Sequence, residues 1–253
     1  MSEFLDTAIE AARKAEGIIS KHFDTGVSVE TKPDNSPVTV ADREAERIIK
    51  EIVLGRFPDH GFLGEETGEN REKSEYTWIV DPIDGTKNYV RGIPLFGTLI
   101  ALMKNEEVVI GVVNMPVLKE LSYAERGNGA FHNGERIHVS GVSSLNDAYV
   151  GFGGVKKFQR KGMTKQLLSL ADEARSDKGF GDCWSYTLIA RGKLDALVDV
   201  TIKIWDVAAP SIIIEEAGGM ITDLTGKAIG RDTTSVIATN GFLHEAVLAY
   251  FNS

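Results

Sequence analysis

Carboxylates are the side chains whose types and spacing could carry chemistry in this sequence. Glu65 and Glu66 close the apolar run Phe62-Leu63-Gly64, and a second run, Trp78-Ile79-Val80, leads into Asp81-Pro82-Ile83-Asp84-Gly85-Thr86. At a strand end followed by a turn, Asp81 and Asp84 can converge while the Ile83 carbonyl points inward, giving the hard oxygen donors that Mg²⁺ takes. Pro82 fixes the turn and Gly85 lets the backbone approach an anion. A helix beginning near Thr86 would then offer free N–H groups to a phosphate. A third element is Trp205-Asp206, at the head of the apolar stretch 207–217. Each has a plainer reading when taken alone. Asp-Pro-x-Asp-Gly is a β-turn sequence, Glu65-Glu66 a solvated loop end and Asp206 a helix N-cap. All three nevertheless point the same way, to a divalent-metal site beside a phosphate cradle.

The elements that would hold these residues follow from periodicity. Phe4, Leu5, Ala8, Ile9, Ala12, Ala15, Ile18 and Ile19 recur at helical spacing, with Ser2 as the N-cap of a helix reaching about Phe23. The polar, proline-containing stretch 32–40 predicts a loop, and a second helix over about 41–54 has an acidic first turn that suits the helix dipole. Apolar β-type runs at 78–80, 95–103 and 108–114, then the turn-rich 126–135, predict an antiparallel sheet with a hairpin. Beyond the small, polar 141–146, helical patterns near 163–174, 184–191, 206–217 and 242–251 alternate with strand-like runs at 196–200, 220–223 and 235–239. The expected fold is α/β in alternating helix and sheet layers. It divides into two closely packed parts, 1–141 and 142–253, with no internal repeat.

Composition removes whole classes of function. The 253 residues suffice for one large domain or two intimate ones. With 28 Lys plus Arg against 37 Asp plus Glu, the net charge of -9 opposes a counterion-releasing clamp on nucleic acid. Such a chain can bind a phosphorylated small molecule where metal ions invert the local field. The single Cys183 excludes an internal disulfide and a multi-cysteine zinc site, which suits a reducing compartment, and the cytoplasm is the expected location. The N-terminal MSEFLDTAIE is acidic and amphipathic where a signal peptide would be basic and then apolar. No run approaches the roughly 18 apolar residues of a membrane span. Gly226-Lys227 does not complete a Walker A motif, and the glycine clusters at 127–134, 151–154 and 179–181 read as hairpins and bends. His22, His60, His132, His138 and His244 lie far apart, outside any metalloprotease or serine-hydrolase motif.

Gly64-Glu65-Glu66, the run from Trp78 to Thr86, and Trp205-Asp206-Val207-Ala208-Ala209 followed by Glu216-Ala217-Gly218-Gly219 together resemble a known family. It is that of the lithium-sensitive, metal-dependent phosphomonoesterases typified by inositol monophosphatase, and the likeness covers nearly the whole chain. The resemblance implies a sugar-phosphatase type of layered fold and two or three Mg²⁺ ions per site. Glu65, Asp81 and the Ile83 carbonyl would bind the first ion, and Asp81, Asp84 and Asp206 would surround the second. Asp42 would hydrogen-bond the Thr86 hydroxyl and help take a proton from the attacking water, with Glu66 supporting the metal shell. Gly85 and Thr86 would hold phosphate oxygens. Lys32 resembles a mobile-loop lysine near a third metal, although its spacing from Asp42 is one residue short.

The leaving alcohol would meet Asp84, Gly181, Asp182, Cys183 and Asp199. Asp182 and Asp199 depart from the inositol enzymes, whereas Lys87 to Gly92, Gly179 to Asp182 and Ser185-Tyr186 look more like the histidinol-phosphatase branch. Acidic and aromatic groups (Asp182, Asp199, Trp184, Tyr186) would suit an ammonium and an imidazole. Cys183 is expected as a buried, inert thiol. The expected activity is Mg²⁺-dependent hydrolysis of histidinol phosphate, with inositol 1-phosphate as the alternative. 3′-Phosphoadenosine 5′-phosphate, fructose 1,6-bisphosphate and a purely regulatory binding role stand behind these. The expected partners are a phosphorylated small molecule and a second copy of the chain, with neither nucleic acid nor membrane.

Overall fold

The computed structural model describes residues 2–25, 29–31, 37–70 and 74–252. Lys32, with its expected loop role, lies outside them. Helix α1 (Glu3–Thr25) starts where the Leu5 N–H donates to the Ser2 hydroxyl at 3.3 Å, and it buries Leu5, Ala8, Ala12, Ala15 and Ile19 as one stripe. The ribbon of β1 (Val29–Thr31) and β2 (Pro37–Thr39) leads into α2 (Val40–Arg56). There Thr39 is the N-cap and Asp42 closes a capping box with it.

Two short strands, β3 (Gly61–Gly64) and β4 (Gly68–Asn70), form a hairpin around the Glu65-Glu66 turn, where only an apolar run was expected. They precede the long β5 (Tyr76–Asp84) and the brief α3 (Thr86–Val90). Next come β6 (Gly97–Lys104), β7 (Glu107–Met115), β8 (Glu120–Glu125), β9 (Gly129–His132) and β10 (Glu135–Arg136). The turn-rich 126–135 is thus the β8–β9 hairpin and its continuation. The second half runs β11 (Tyr149–Phe152), α4 (Val155–Arg160), α5 (Thr164–Glu173), β12 (Ser176–Lys178) and α6 (Asp182–Ala190). It closes with β13 (Ala196–Val200), α7 (Ile204–Glu216), β14 (Met220–Thr222), β15 (Ser235–Thr239) and α8 (His244–Phe251).

An eight-stranded sheet has the order β10-β9-β8-β7-β6-β5-β3-β4, antiparallel as expected except for the parallel pair β3–β5. A five-stranded sheet has the order β12-β11-β13-β15-β14, with β11 parallel to both of its neighbours. In β5 every residue from Thr77 to Ile83 is buried, which a strand covered on both faces requires. Trp78 and Val80 pack with α1 and α2, and Ile79 packs with α6 and α7 on the other side.

Helix α7 is apolar nearly all round, from Val207 to Ile214, because it lies between the two sheets. At its closest approach a side chain on Gly111 of β7 would meet the Ala209 carbonyl at 2.3 Å. A third cluster, built on Phe158, Leu170, Val198, Ile237 and Val247, fills the outer face of the smaller sheet beneath α5 and α8. The layers therefore alternate helix, sheet, helix, sheet, helix. The middle core draws residues from both 1–141 and 142–253. No helix among the described residues is long and apolar enough to cross a membrane.

Candidate active site

The end of β5 is distorted in a way its sequence dictates. Pairing with β6 runs regularly to Asp81↔Leu99 and resumes at Asp84↔Gly97, leaving Pro82 and Ile83 in a bulge. Pro82 has no N–H to give the ladder, and its carbonyl accepts from the buried Thr98 hydroxyl at 2.9 Å. The Asp81 Oδ1 accepts the Ile83 N–H at 3.0 Å, which locks the bulge from within. Gly85 then turns the chain at φ 87°, and any side chain there would stand 2.9 Å from the Leu95 carbonyl. The Thr86 hydroxyl donates to the Ile83 carbonyl at 2.9 Å. Its proton therefore does not point to Asp42, the partner expected for it. Asp42 is buried, and its Oδ2 accepts from the Thr39 N–H and hydroxyl at 2.8 and 2.5 Å.

Glu65 is placed by backbone and by a residue that local patterning did not flag. Its N–H donates to the Val80 carbonyl at 3.1 Å, and the next two N–H groups, of Glu66 and Thr67, both donate at 2.8 Å to the carboxylate of Glu46. Glu46 is fully buried on α2, and a Cβ on Gly64 would fall 2.4 Å from its carboxyl carbon. Gly64 is thus the space that Glu46 occupies. Glu46 stands one helical turn after Asp42, a spacing that could have placed both on one face of α2.

Asp206 arrives from the other half, in the first turn of α7, where its Oδ2 accepts the Lys203 N–H at 2.9 Å. It occupies the third helical position rather than the N-cap itself. Asp84 Oδ2 accepts the Cys183 N–H at the start of α6, which ties β5 to that helix.

One carboxylate oxygen each of Asp81, Asp84 and Asp206 lies within 4.8 Å of the others. With Glu65, Asp182, Ile83, Gly85, Thr86 and Lys87 they line a cavity of about 160 Å³. A roomier cavity of about 590 Å³ at α5 and α8 has Glu173 as its only carboxylate and no such convergence. Burial, then repulsion from Glu65, Asp84 and Asp206, pushes Asp81 well above the usual carboxylate range. Asp84 is raised by burial and then by Asp182 and Asp206, against the pull of the Cys183 N–H. Burial pushes Asp206 up to about 7. Buried oxygens that repel one another this strongly fit a hard divalent cation, which would relieve them.

The leaving-group side differs from its expected form. Asp182 lines the cavity and accepts from the Asn88 amide at 3.0 Å. Asp199, 6% exposed, is no bare charge: the Lys157 ammonium donates to its two oxygens at 3.0 and 3.1 Å, and the Val200 N–H donates at 2.7 Å. Cys183 is fully buried, so its backbone and not its thiol serves the site, and burial pushes that thiol up. Gly181, at φ 66°, shapes the turn into α6. Tyr186 is a core residue, and Trp184 packs edge-on against Phe180 at 5.0 Å. Of the acidic and aromatic residues expected at the leaving alcohol, Asp182 lines the cavity with the carboxylate cluster.

Comparison with known proteins agrees with this geometry. The inositol monophosphatase family matches residues 1–253. A histidinol-phosphatase of Mycobacterium tuberculosis is 38% identical over 252 residues, covering 97% of this chain and 96% of its own. A fructose-1,6-bisphosphatase/inositol-1-monophosphatase of Thermotoga maritima is 37% identical over 255 residues, covering 98% and 95%. Among solved structures, a Thermotoga maritima IMPase superposes with a TM-score of 0.90 at 37% identity, over 99% of this chain and 97% of that one. With its layered fold, its carboxylate cluster and a match that runs end to end, the chain belongs to the inositol monophosphatase family.

Proposed function

We propose that this metal-dependent phosphatase of small phosphate monoesters acts on esters whose alcohol is neutral and polyhydroxylated, with inositol 1-phosphate as the reference substrate. Glu65, Asp81 and the Ile83 carbonyl would hold one Mg²⁺, and Asp81, Asp84 and Asp206 another. When bound, such ions lower the pKa of a water and neutralise the phosphate and the departing oxygen. The chain supplies the rest. Glu65 and Thr86 orient the attacking water, and Asp42, whose Oδ2 is engaged by Thr39, would take its proton only through Oδ1 and not by way of the Thr86 hydroxyl. The N–H groups of Gly85 and Thr86 face the phosphate. Glu46 and Thr98 keep Glu65 and the bulge in register from behind.

The observation that carries the substrate class is the Lys157–Asp199 pair. Its net charge is zero, and the Lys157 N–H that Asp199 does not take is left as a donor for a hydroxyl group. Lys87 and Lys157 also bear on Asp182 and oppose its charge. A second reading, histidinol phosphate, is favoured by the cavity-lining Asp182 and by the Mycobacterium relative's name. Side-by-side kcat/KM measurements with Mg²⁺ separate the two. A preference for inositol 1-phosphate of about tenfold or more, about 1.4 kcal/mol in the transition state, is the expected result. A preference of that size for histidinol phosphate overturns the reading in favour of the second.

A further inference from the structure

We propose that Lys157 determines the charge that the leaving alcohol can carry. This rests on the reading above, in which the alcohol extends from the cavity past Asp182 to the Lys157–Asp199 pair. Two consecutive glycines, Gly153 and Gly154, join β11 to α4. A Cβ on Gly153 would stand 2.2 Å from an Asp199 oxygen, so the backbone there is pressed against the carboxylate. Helix α4 begins just after Gly154, and Lys157 in its first turn reaches both Asp199 oxygens.

Three acids from three different elements bear on that ammonium: Asp199 on β13, Asp182 on α6 and Asp206 on α7. The Lys157 side chain keeps 35% of its surface exposed, whereas the Asp199 side chain keeps 9%. What an incoming group meets from solvent is therefore the lysine rather than the aspartate. An ammonium has three N–H donors, and two of them are committed to Asp199, which leaves one for a substrate oxygen. A hydroxyl or an anionic group is accommodated at that position. A cationic alcohol is repelled at short range unless the lysine is displaced, and like-charge contact at a binding surface is a strong discriminator.

The test is a series of net charge at this one position, read on three substrates with saturating Mg²⁺. Histidinol phosphate has a cationic alcohol, inositol 1-phosphate a neutral one, and fructose 1,6-bisphosphate an anionic one. Lys157→Met should raise the kcat/KM ratio of histidinol phosphate to inositol 1-phosphate by about tenfold relative to wild type, mainly through KM for histidinol phosphate. Lys157→Arg should keep the wild-type ratio. Asp199→Asn should move the ratio the opposite way and favour the bisphosphate. Where Lys157→Met does not fold, the double variant Lys157→Met/Asp199→Asn removes the ammonium without leaving a bare carboxylate and should still raise the ratio above wild type; a wild-type ratio in it would overturn the proposal. The proposal is overturned if the ratio in Lys157→Met stays within about threefold of wild type, or if Lys157→Arg shifts it as far as the methionine does. A wild-type enzyme that prefers histidinol phosphate would overturn the function proposed above. The variant-to-wild-type ratio still decides the role of Lys157 in that case.

Discussion

At the end of β5, Asp81, Asp84 and Asp206 converge, and among the described residues no ion pair ties them to a basic side chain. Asp199 is also buried, but it is closed off by Lys157 within the same chain. In the first group burial, together with stored repulsion, raises all three carboxyls, whereas Asp199 is raised by burial alone and Lys157 pulls against it. The second is completed by the protein itself. Buried charge costs several kcal/mol per ion unless compensated, so the two groups divide the site into a part that awaits a ligand and a part that is finished on folding.

Removing one carboxylate from each group should have opposite effects on stability. Asp84→Asn keeps an oxygen for the Cys183 N–H and deletes a charge. Activity should fall by about 10³-fold or more, about 4 kcal/mol, while the melting temperature of the metal-free protein rises. Asp199→Asn removes the carboxylate bonded to Lys157 and should lower that temperature. Calorimetric melts in EDTA check both, and equal shifts in one direction would dissolve the distinction.

Glu46→Gln comes next in size. The amide places a donor against backbone N–H groups that need two acceptors, so the Glu65 turn should loosen. Mg²⁺ affinity by titration calorimetry should then drop about 10- to 100-fold, as for other residues that orient ligands. An unchanged affinity would show that the turn holds itself.

The metal-free protein should also carry a pH signature. Asp81, Asp84 and Asp206 hold protons in the folded state that the unfolded chain releases near the ordinary carboxylate pKa of about 3.9. Their stabilising contribution is therefore fully present below that value and is lost as pH rises through about 7 for Asp206. Melting temperature in EDTA should fall between about pH 5 and pH 8, and Mg²⁺ should cancel the fall. A flat metal-free profile would mean the carboxylates do not repel as their positions require.

The smallest effect belongs to a pair outside both groups. Arg126 on the β8–β9 turn meets Glu215 at 2.6 Å with both side chains over a third exposed. Arg126→Ala should cost no more than about 1 kcal/mol by denaturant titration. A larger loss would make the hairpin's hold on α7 part of the site.

The carboxylate end was legible in the sequence because its residues sit in short, locally constrained strings. Asp81, Ile83 and Asp84 share one strand end, Asp206 opens an apolar helix, and the layered order of elements followed from periodicity. The other end was not, because its residues acquire their roles by packing. Lys157 stands in Val155-Lys-Lys-Phe-Gln-Arg160, which reads as a solvated charge run, and nothing local brings it to a strand 42 residues away. Glu46 looks like one more acid on an amphipathic helix until Gly64 is folded against it. Asp199 was identified as a pocket residue, yet its charge state depended on a partner that only the β11–α4 connection delivers.

Helix α7 brings Asp206 to the site late in the chain, after β5 and the whole large sheet. On a ribosome, Asp81 and Asp84 would emerge long before their third companion, and the nascent protein would lack a complete cation cage while most of its length was already made. Capture of the second proposed ion would thereby be deferred until α7 has taken its place between the two sheets. A prematurely terminated product ending before that helix would carry the residues proposed for the first ion but only two of the three aspartates proposed for the second, and so would differ from the finished enzyme in composition as well as in shape.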